Sequence, residues 1–374
     1  MENATQTAEK KIRYAVVGLG HIAQVAVLPA FKNAAANSEL TALVSDDPTK
    51  LKELGKKYRV KQLYSYDEYD QCLKSDTVDA VFIALPNHLH REYTVRAAEA
   101  GRHVLCEKPL AMTEEECRLM MEACRANSVQ LMTAYRLHFD EATLKAIEIV
   151  QSGQLGDLNH FDSFHCMDVK PGNIRLQDET GGGTLHDIGI YCINAARSLF
   201  RDEPIEMFAM SLNGNDPKFA EVEEAVSAIL RFPRNRTAVF TCSFGSAKVS
   251  SYRVVGTEGD LRVEPGYSYT ERLTHHLTID RKTKKRSFAK RDQFAAQLLY
   301  FSDCVRNDRE PEPSGLEGAA DVRIIEALYR SVAEGKPVSL VPVLKPERPS
   351  PEQEIYRPPV NEPELVHAES PGQS

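Results

Sequence analysis

A glycine turn between an apolar run and a helical pattern constrains this chain more than any other feature. Gly18-Leu19-Gly20-His21-Ile22-Ala23 follows Ile12 to Val17, a run too short for anything but a strand. In a strand–turn–helix of this kind the first glycine permits the tight turn. The second lets backbone approach a pyrophosphate, and the small third residue lets the helix pack closely on the strand. The helix N-terminus adds favourable charge for the phosphates. Gly18, Leu19, Gly20, His21 and Ile22 are therefore the expected dinucleotide-contact segment.

The turn carries weight because its surroundings repeat the pattern it needs. Apolar runs at 40–44, 62–64, 78–85, 103–106 and 130–133 alternate with helical patterns at 48–58, 87–100 and 113–127. Strand and helix in alternation predict an α/β unit, an N-terminal Rossmann doubly wound parallel sheet over residues 1–133. From about 134 the rhythm changes. Strand patterns follow one another at 160–166, 206–212, 225–232, 237–244, 252–255 and 275–280, with helices at 187–200, 292–306 and 318–334. Residues 134–340 thus read as a C-terminal α+β domain with a large, mostly antiparallel open sheet. One sheet face is covered by helices; the other is a substrate wall, a subunit interface, or both.

Residues 341–374 differ. Eight prolines in this stretch, and six Glu against three Lys/Arg, rule out an independent core. It is either a disordered tail or an arm that buries Ile355, Tyr356, Leu365 and Val366.

The remaining composition excludes other classes. The chain's 374 residues carry 46 Lys+Arg against 54 Asp+Glu, a net charge of −8, so nucleic acid is not the expected partner. The basic run Arg281 to Arg291 reads as a solvated hairpin leading into a helix. No apolar stretch is long enough for a membrane span, and the polar N-terminus does not read as a signal peptide, so a cytoplasmic location is expected. The eight cysteines form no Cys-x-x-Cys pair and read as reduced core residues. No metal is expected. His275-His276 reads as a strand edge, without partners at ligand spacing.

The end of the second strand usually decides between NAD and NADP. Ser45 stands where an NAD site wants a carboxylate. Its hydroxyl can bond a 2′-phosphate, with Lys50 to neutralise it. Asp46 and Asp47 would repel that phosphate unless they point away or cap the following helix. On this condition NADP is expected over NAD.

Two further blocks lie at the carboxyl ends of strands, where ligands bind in open α/β sheets. Leu85-Pro86-Asn87, with His90 behind it, follows one strand. Glu107-Lys108-Pro109 follows the next, and a cis Lys108–Pro109 bond would aim Lys108 inward. In the second half, Gly181-Gly182-Gly183 leads to Asp187 and Tyr191, which share a helix face. Tyr135, Arg136 and Arg175 lie nearby in sequence and are expected to line a pocket.

These blocks together resemble the Gfo/Idh/MocA family of sugar oxidoreductases, as does Gly256-Thr257-Glu258-Gly259. The likeness spans residues 12–340. Tyrosine at 191, where many members have histidine, and Ser45 with Lys50 resemble the glucose–fructose oxidoreductase branch. The resemblance implies an NADP-dependent enzyme moving a hydride between nicotinamide and C1 of a cyclic monosaccharide, with cofactor contacts from Leu85, Pro86, Asn87, His90, Glu107 and Lys108. It implies a sugar held by Lys108, Tyr135, Arg136, Arg175, Asp187 and Tyr191. Some members retain their cofactor and couple oxidation of one sugar to reduction of another. Tyrosine has a free pKa of about 10, so as the base it needs a cation beside it. The expected trio is Tyr191 as base, Lys108 as its electrostatic partner and Asp187 as orienting acceptor, with Lys108 as the rival base. A homodimer or homotetramer through the C-terminal sheet is expected. The alternative is a nucleotide-sensing regulator on the same fold.

Overall fold

The computed structural model describes residues 10–345 and 347–372. Residues 1–9, most of the polar N-terminus, lie outside the described residues.

The first sheet has six parallel strands: β1 (Ile12–Val17), β2 (Ser38–Val44), β3 (Gln62–Tyr64), β4 (Ala80–Ile83), β5 (His103–Cys106) and β6 (Leu131–Thr133). Their order is β3-β2-β1-β4-β5-β6, so the winding reverses between β1 and β4. The helices are α1 (Leu28–Asn33), α2 (Pro48–Tyr58), α3 (Tyr69–Lys74), α4 (His90–Glu99), α5 (Glu114–Ala126), α6 (Glu141–Gln151), α7 (Ile190–Phe200), α8 (Gln293–Arg306) and α9 (Gly315–Glu334). The central stretches Tyr14–Val17, Ala42–Val44, Ala80–Ile83 and Val104–Cys106 are apolar because both faces are covered there. Tyr14, Val16 and Phe82 join a core with Phe294, Leu298 and Phe301 of α8. Ala15, Val17, Val81 and Ile83 join the opposite core with Tyr93 of α4 and Met120 of α5.

One face of this sheet is therefore sealed by α8, which comes from far along the chain. The Tyr14 hydroxyl lies 2.7 Å from Ser302 Oγ, and Ser38 Oγ lies 2.8 Å from the same atom. Amphipathic spacing in 292–306 announces the helix but not which sheet it covers.

The second sheet has nine strands: β7 (Leu158–Asp168), β8 (Glu206–Leu212), β9 (Ala225–Phe232), β10 (Arg236–Ser243), β11 (Gly245–Gly256), β12 (Gly259–Val263), β13 (Thr274–Ile279), β14 (Lys282–Ser287) and β15 (Val338–Ser339). The order is β14-β13-β12-β11-β7-β10-β9-β8-β15, antiparallel except for β7 with β10. The basic run forms the exposed edge strand β14, paired with β13. Lysines on an open edge oppose pairing with another chain. His275 and His276 thus lie on an internal strand, not an edge as expected, because β14 continues the sheet past them. Helices α6, α7 and α9 pack on one face.

The proline-rich segment is an arm. It has little regular structure, since proline cannot join a ladder. Side chains anchor it instead. Lys345 is buried against Glu312 and Glu317, Arg348 meets Glu203 at 2.7 Å, and Gln353 bonds Glu312. Ile355, Leu365 and Val366 pack against the core beneath α8.

Among the described residues no helix is long and apolar enough to cross a membrane.

Candidate active site

Register levels the strand ends. Val17 pairs with Val44 and Ile83, and Ile83 pairs with Cys106. Gly18, Ser45, Ala84 and Glu107 therefore stand along one rim. Gly18 has φ +91°, and a Cβ there would lie 2.5 Å from the Ala84 carbonyl oxygen, so no other residue fits. A Cβ on Gly20 would meet nothing within 4 Å. The turn thus faces open space of the kind a diphosphate needs. Glu107 Oε1 is buried without a partner, and burial pushes this carboxyl up to about 7. Such an orphaned acceptor fits a hydroxyl or amide of a bound group. These residues fit a dinucleotide.

At the adenosine end both troublesome carboxylates are engaged locally. Asp47 Oδ1 caps α2, accepting from Thr49 N at 2.9 Å and Lys50 N at 3.0 Å. Asp46 Oδ1 accepts from Tyr66 N at 2.8 Å. Ser45 is buried, accepts from Asp47 N at 3.3 Å and meets the Tyr66 hydroxyl. At the nicotinamide end Asn87 donates to the Gly181 carbonyl at 2.7 Å, tying the loop after β4 to the glycine block.

That block carries the charged cluster. Leu185–Gly189 forms a single π turn ahead of α7, and Asp187 sits in it. Such wide turns recur at functional sites. Lys108, in a cis Lys108–Pro109 pair, donates to the Asp187 carbonyl at 2.7 Å and to its Oδ1 at 3.2 Å. Arg175 Nε donates to Asp187 Oδ2 at 2.6 Å. Burial opposes both charges, but the partners outweigh it. Arg175 and Lys108 hold Asp187 well below the usual carboxylate range. Tyr191, Asp187 and Glu107 hold Lys108 above its ordinary value.

Tyr191 lies between two cations. Lys108 Nζ stands 4.9 Å from its ring centroid, and the Arg136 guanidinium carbon 5.3 Å. The hydroxyl accepts from Arg136 Nη2 at 3.3 Å. The cation at the oxygen is therefore Arg136. Lys108 is drawn to Asp187 and takes the ring face.

Two expected ligand contacts are otherwise employed. His90 is fully buried, with ring nitrogens 2.8 Å from the Pro109 carbonyl and 3.0 Å from that of Leu85. It braces the loops that carry Pro86 and Lys108 and has no surface left for a cofactor. Tyr135 donates its hydroxyl to Asp321 at 2.5 Å inside a buried ion network. That hydroxyl is not available to a sugar.

Other side chains at the site carried no motif. His165 of β7 has its ring 5.4 Å from that of Tyr191 and 5.0 Å from that of Tyr267. Burial lowers its pKa to about 4, so it is neutral. Its one signal was an imidazole on the inward positions of an alternating strand, with Phe161 and Ser163. Tyr66 and Tyr267 gave none.

Open space over a glycine turn, an orphaned carboxylate at the same rim and a lysine–aspartate–tyrosine group beside it suit nucleotide-dependent hydride transfer. This is an NAD(P)-dependent oxidoreductase. Comparison with known proteins gives its kinship: the chain belongs to the Gfo/Idh/MocA oxidoreductase family. Residues 12–135 match the family's NAD-binding Rossmann fold, and residues 143–262 match the Gfo/Idh/MocA C-terminal domain. The chain is 32% identical to D-xylose 1-dehydrogenase [NADP(+)] of Haloarcula marismortui, over 87% of this chain and 92% of that one. It resembles the crystal structure of aldose-aldose oxidoreductase from Caulobacter crescentus (TM-score 0.84, 37% identity), covering 88% of this chain and all of that one. A 3-ketoreductase from Actinomadura kijaniata, solved with NADP, matches with a TM-score of 0.79 and 26% identity, over 86% and 98% of the chains.

Proposed function

We propose that this protein is an NADP-dependent oxidoreductase that interconverts a cyclic aldose and its aldonolactone at C1. The carrying observation is the cluster of Lys108, Asp187, Arg175 and Tyr191 at the rim of the glycine turn. The relatives acting on xylose and on aldoses support the substrate class. Capping by Asp47 and the turn of Asp46 toward Tyr66 support NADP, because each carboxylate spends Oδ1 on a backbone amide rather than on a ribose hydroxyl.

Bound NADP supplies the hydride acceptor. The chain supplies positioning and proton handling. Lys108 and Arg175, fixed by Asp187, present donors to sugar hydroxyls. As phenolate, the Tyr191 oxygen takes the C1 hydroxyl proton in the oxidation and becomes the phenol, which returns that proton in the reverse. Lys108 is the poorer base, since its surroundings keep it protonated. A retained cofactor that shuttles between two sugars is the finer form of this reading.

An aldose panel followed by nicotinamide absorbance, with and without added NADP, checks this. The expected result is turnover of at least one aldose. Turnover of a sugar pair without added nucleotide would establish retention. No turnover of any aldose would reject the assignment.

The outer face of the second sheet exposes Phe164, Met210, Ile229 and Val239, each 44 to 58% accessible. A patch of this kind on a regular sheet suits a second copy of the chain. Light scattering should give a dimer or tetramer mass; a monomer at micromolar concentration would discard the interface.

A further inference from the structure

The arm does more than cover the core: its last described stretch runs along the nucleotide rim. Val366 N donates to Gln24 Oε1 and its carbonyl accepts from Gln24 Nε2, both at 2.8 Å, as a strand neighbour would. The same Nε2 donates to the Leu19 carbonyl inside the glycine turn at 2.9 Å. Lys57 Nζ donates to the Glu364 carbonyl at 3.2 Å. The next residue, His367, places Nδ1 2.9 Å from Asp47 Oδ2. Its φ of 45° is a conformation that a residue other than glycine keeps only when its neighbours fix it. Further on, Lys170 N donates to the Pro371 carbonyl at 2.9 Å, and Val169 pairs with Gly372. The arm thus passes from the end of β2 to the end of β7 and spans the cleft between the two sheets.

We propose that residues 364–372 are a component of the dinucleotide site, in which His367 reads the adenosine 2′-phosphate. The argument turns on charge. Asp47 spends Oδ1 on the helix cap, which leaves Oδ2 as an anionic oxygen two residues from Ser45. Uncovered, it would repel a 2′-phosphate. His367 covers that oxygen through Nδ1, and its side chain remains 61% accessible; in the imidazolium form, with a carboxylate on one nitrogen and a phosphate on the other, Nε2–H is left to donate to the anion. Ser45, Lys50 and His367 then supply three donors around the start of α2. A ribose without the phosphate gains nothing from the third. The arm between Val366 and Pro371 also narrows the exit for a bound nucleotide.

This proposal rests on the NADP assignment, and its test separates the two. Dissociation constants for NADP and for NAD are measured by calorimetry on nucleotide-free protein, for the wild type and for His367→Ala. The side chain is largely exposed, so the variant should fold normally. The expected result is a wild type that prefers NADP and a variant that binds NADP about tenfold or more weakly, with NAD changed less than twofold; one charge-assisted hydrogen bond is of this size. An unchanged NADP constant, or equal losses for both nucleotides, would overturn the role of His367 while leaving the NADP assignment standing. A wild type that binds NAD as tightly as NADP would overturn both.

Discussion

Tyr191→Phe should lower kcat by about 10² or more while leaving cofactor affinity within a factor of two. Loss of a general base costs about 10² to 10⁴ in rate. The fold should survive, because the hydroxyl makes one long bond, 3.3 Å from Arg136. The ring remains in the variant, so the cation–π contacts with Lys108 and Arg136 remain too. The variant therefore removes the oxygen and little else. A fall in kcat without a rise in the NADP dissociation constant would place the loss in the chemical step. Turnover within threefold of wild type would reject tyrosine as the base and return the role to Lys108. Lys108 would then have to shed its proton against Asp187 and Glu107, both of which favour its charged form.

Arg197→Met should destabilise the protein by about 3–5 kcal/mol in urea unfolding, the usual cost of breaking a buried ion pair from one side. Arg197 is completely buried on α7. It donates to Glu203 at 2.6 Å, to Asp321 at 2.6 Å and to Glu317 at 2.9 Å. Lys345 and Arg348, both from the arm, bring further cations to these carboxylates. Removing the guanidinium leaves the three buried carboxylates Glu203, Glu317 and Asp321 with one lysine and one arginine from a segment without regular structure. Methionine keeps the volume, so a cavity adds little to the effect. Destabilisation below about 1 kcal/mol would mean that protonation of the carboxylates relieves the strain. Asp321 is the candidate for that relief, since burial already raises it to about 6.

The nucleotide half was the most legible part of the fold. Its strands are short, apolar and punctuated by glycine, proline and caps, each a local demand of the backbone. Strands β1 and β3 and helix α2 fall within the ranges their patterns gave. The second half was legible in kind, and less so in detail. Strand β12, strand β14 and helix α6 had no element of their own in the sequence reading. The π turn at Leu185–Gly189 was also hidden, because a helix pattern does not record an extra residue in one turn.

The site divides in the same way. Lys108, Asp187 and Tyr191 were singled out from short blocks rich in glycine or proline, and the structure brings the three side chains together. His90 and Tyr135 were assigned to ligands because they stand beside those motifs too, but proximity in sequence says nothing about direction. His90 turned inward to two carbonyls. Tyr135 turned to Asp321, a residue in α9. His165 and Tyr267 reach the site from the sheet and have no local mark.

The sequence by itself determined the glycine turn, the parallel sheet it opens, and the blocks that carry the lysine, aspartate and tyrosine, because each depends on backbone conformation within a few residues. Tertiary structure alone decided which cation touches the tyrosine oxygen, which sheet α8 seals, and where the proline-rich arm goes. Those outcomes depend on charges and apolar faces that meet only after distant segments pack. His367 and Asp47 stand 320 positions apart in the chain and 2.9 Å apart in the fold. No periodicity or motif spans such a separation; only the competition for buried partners does.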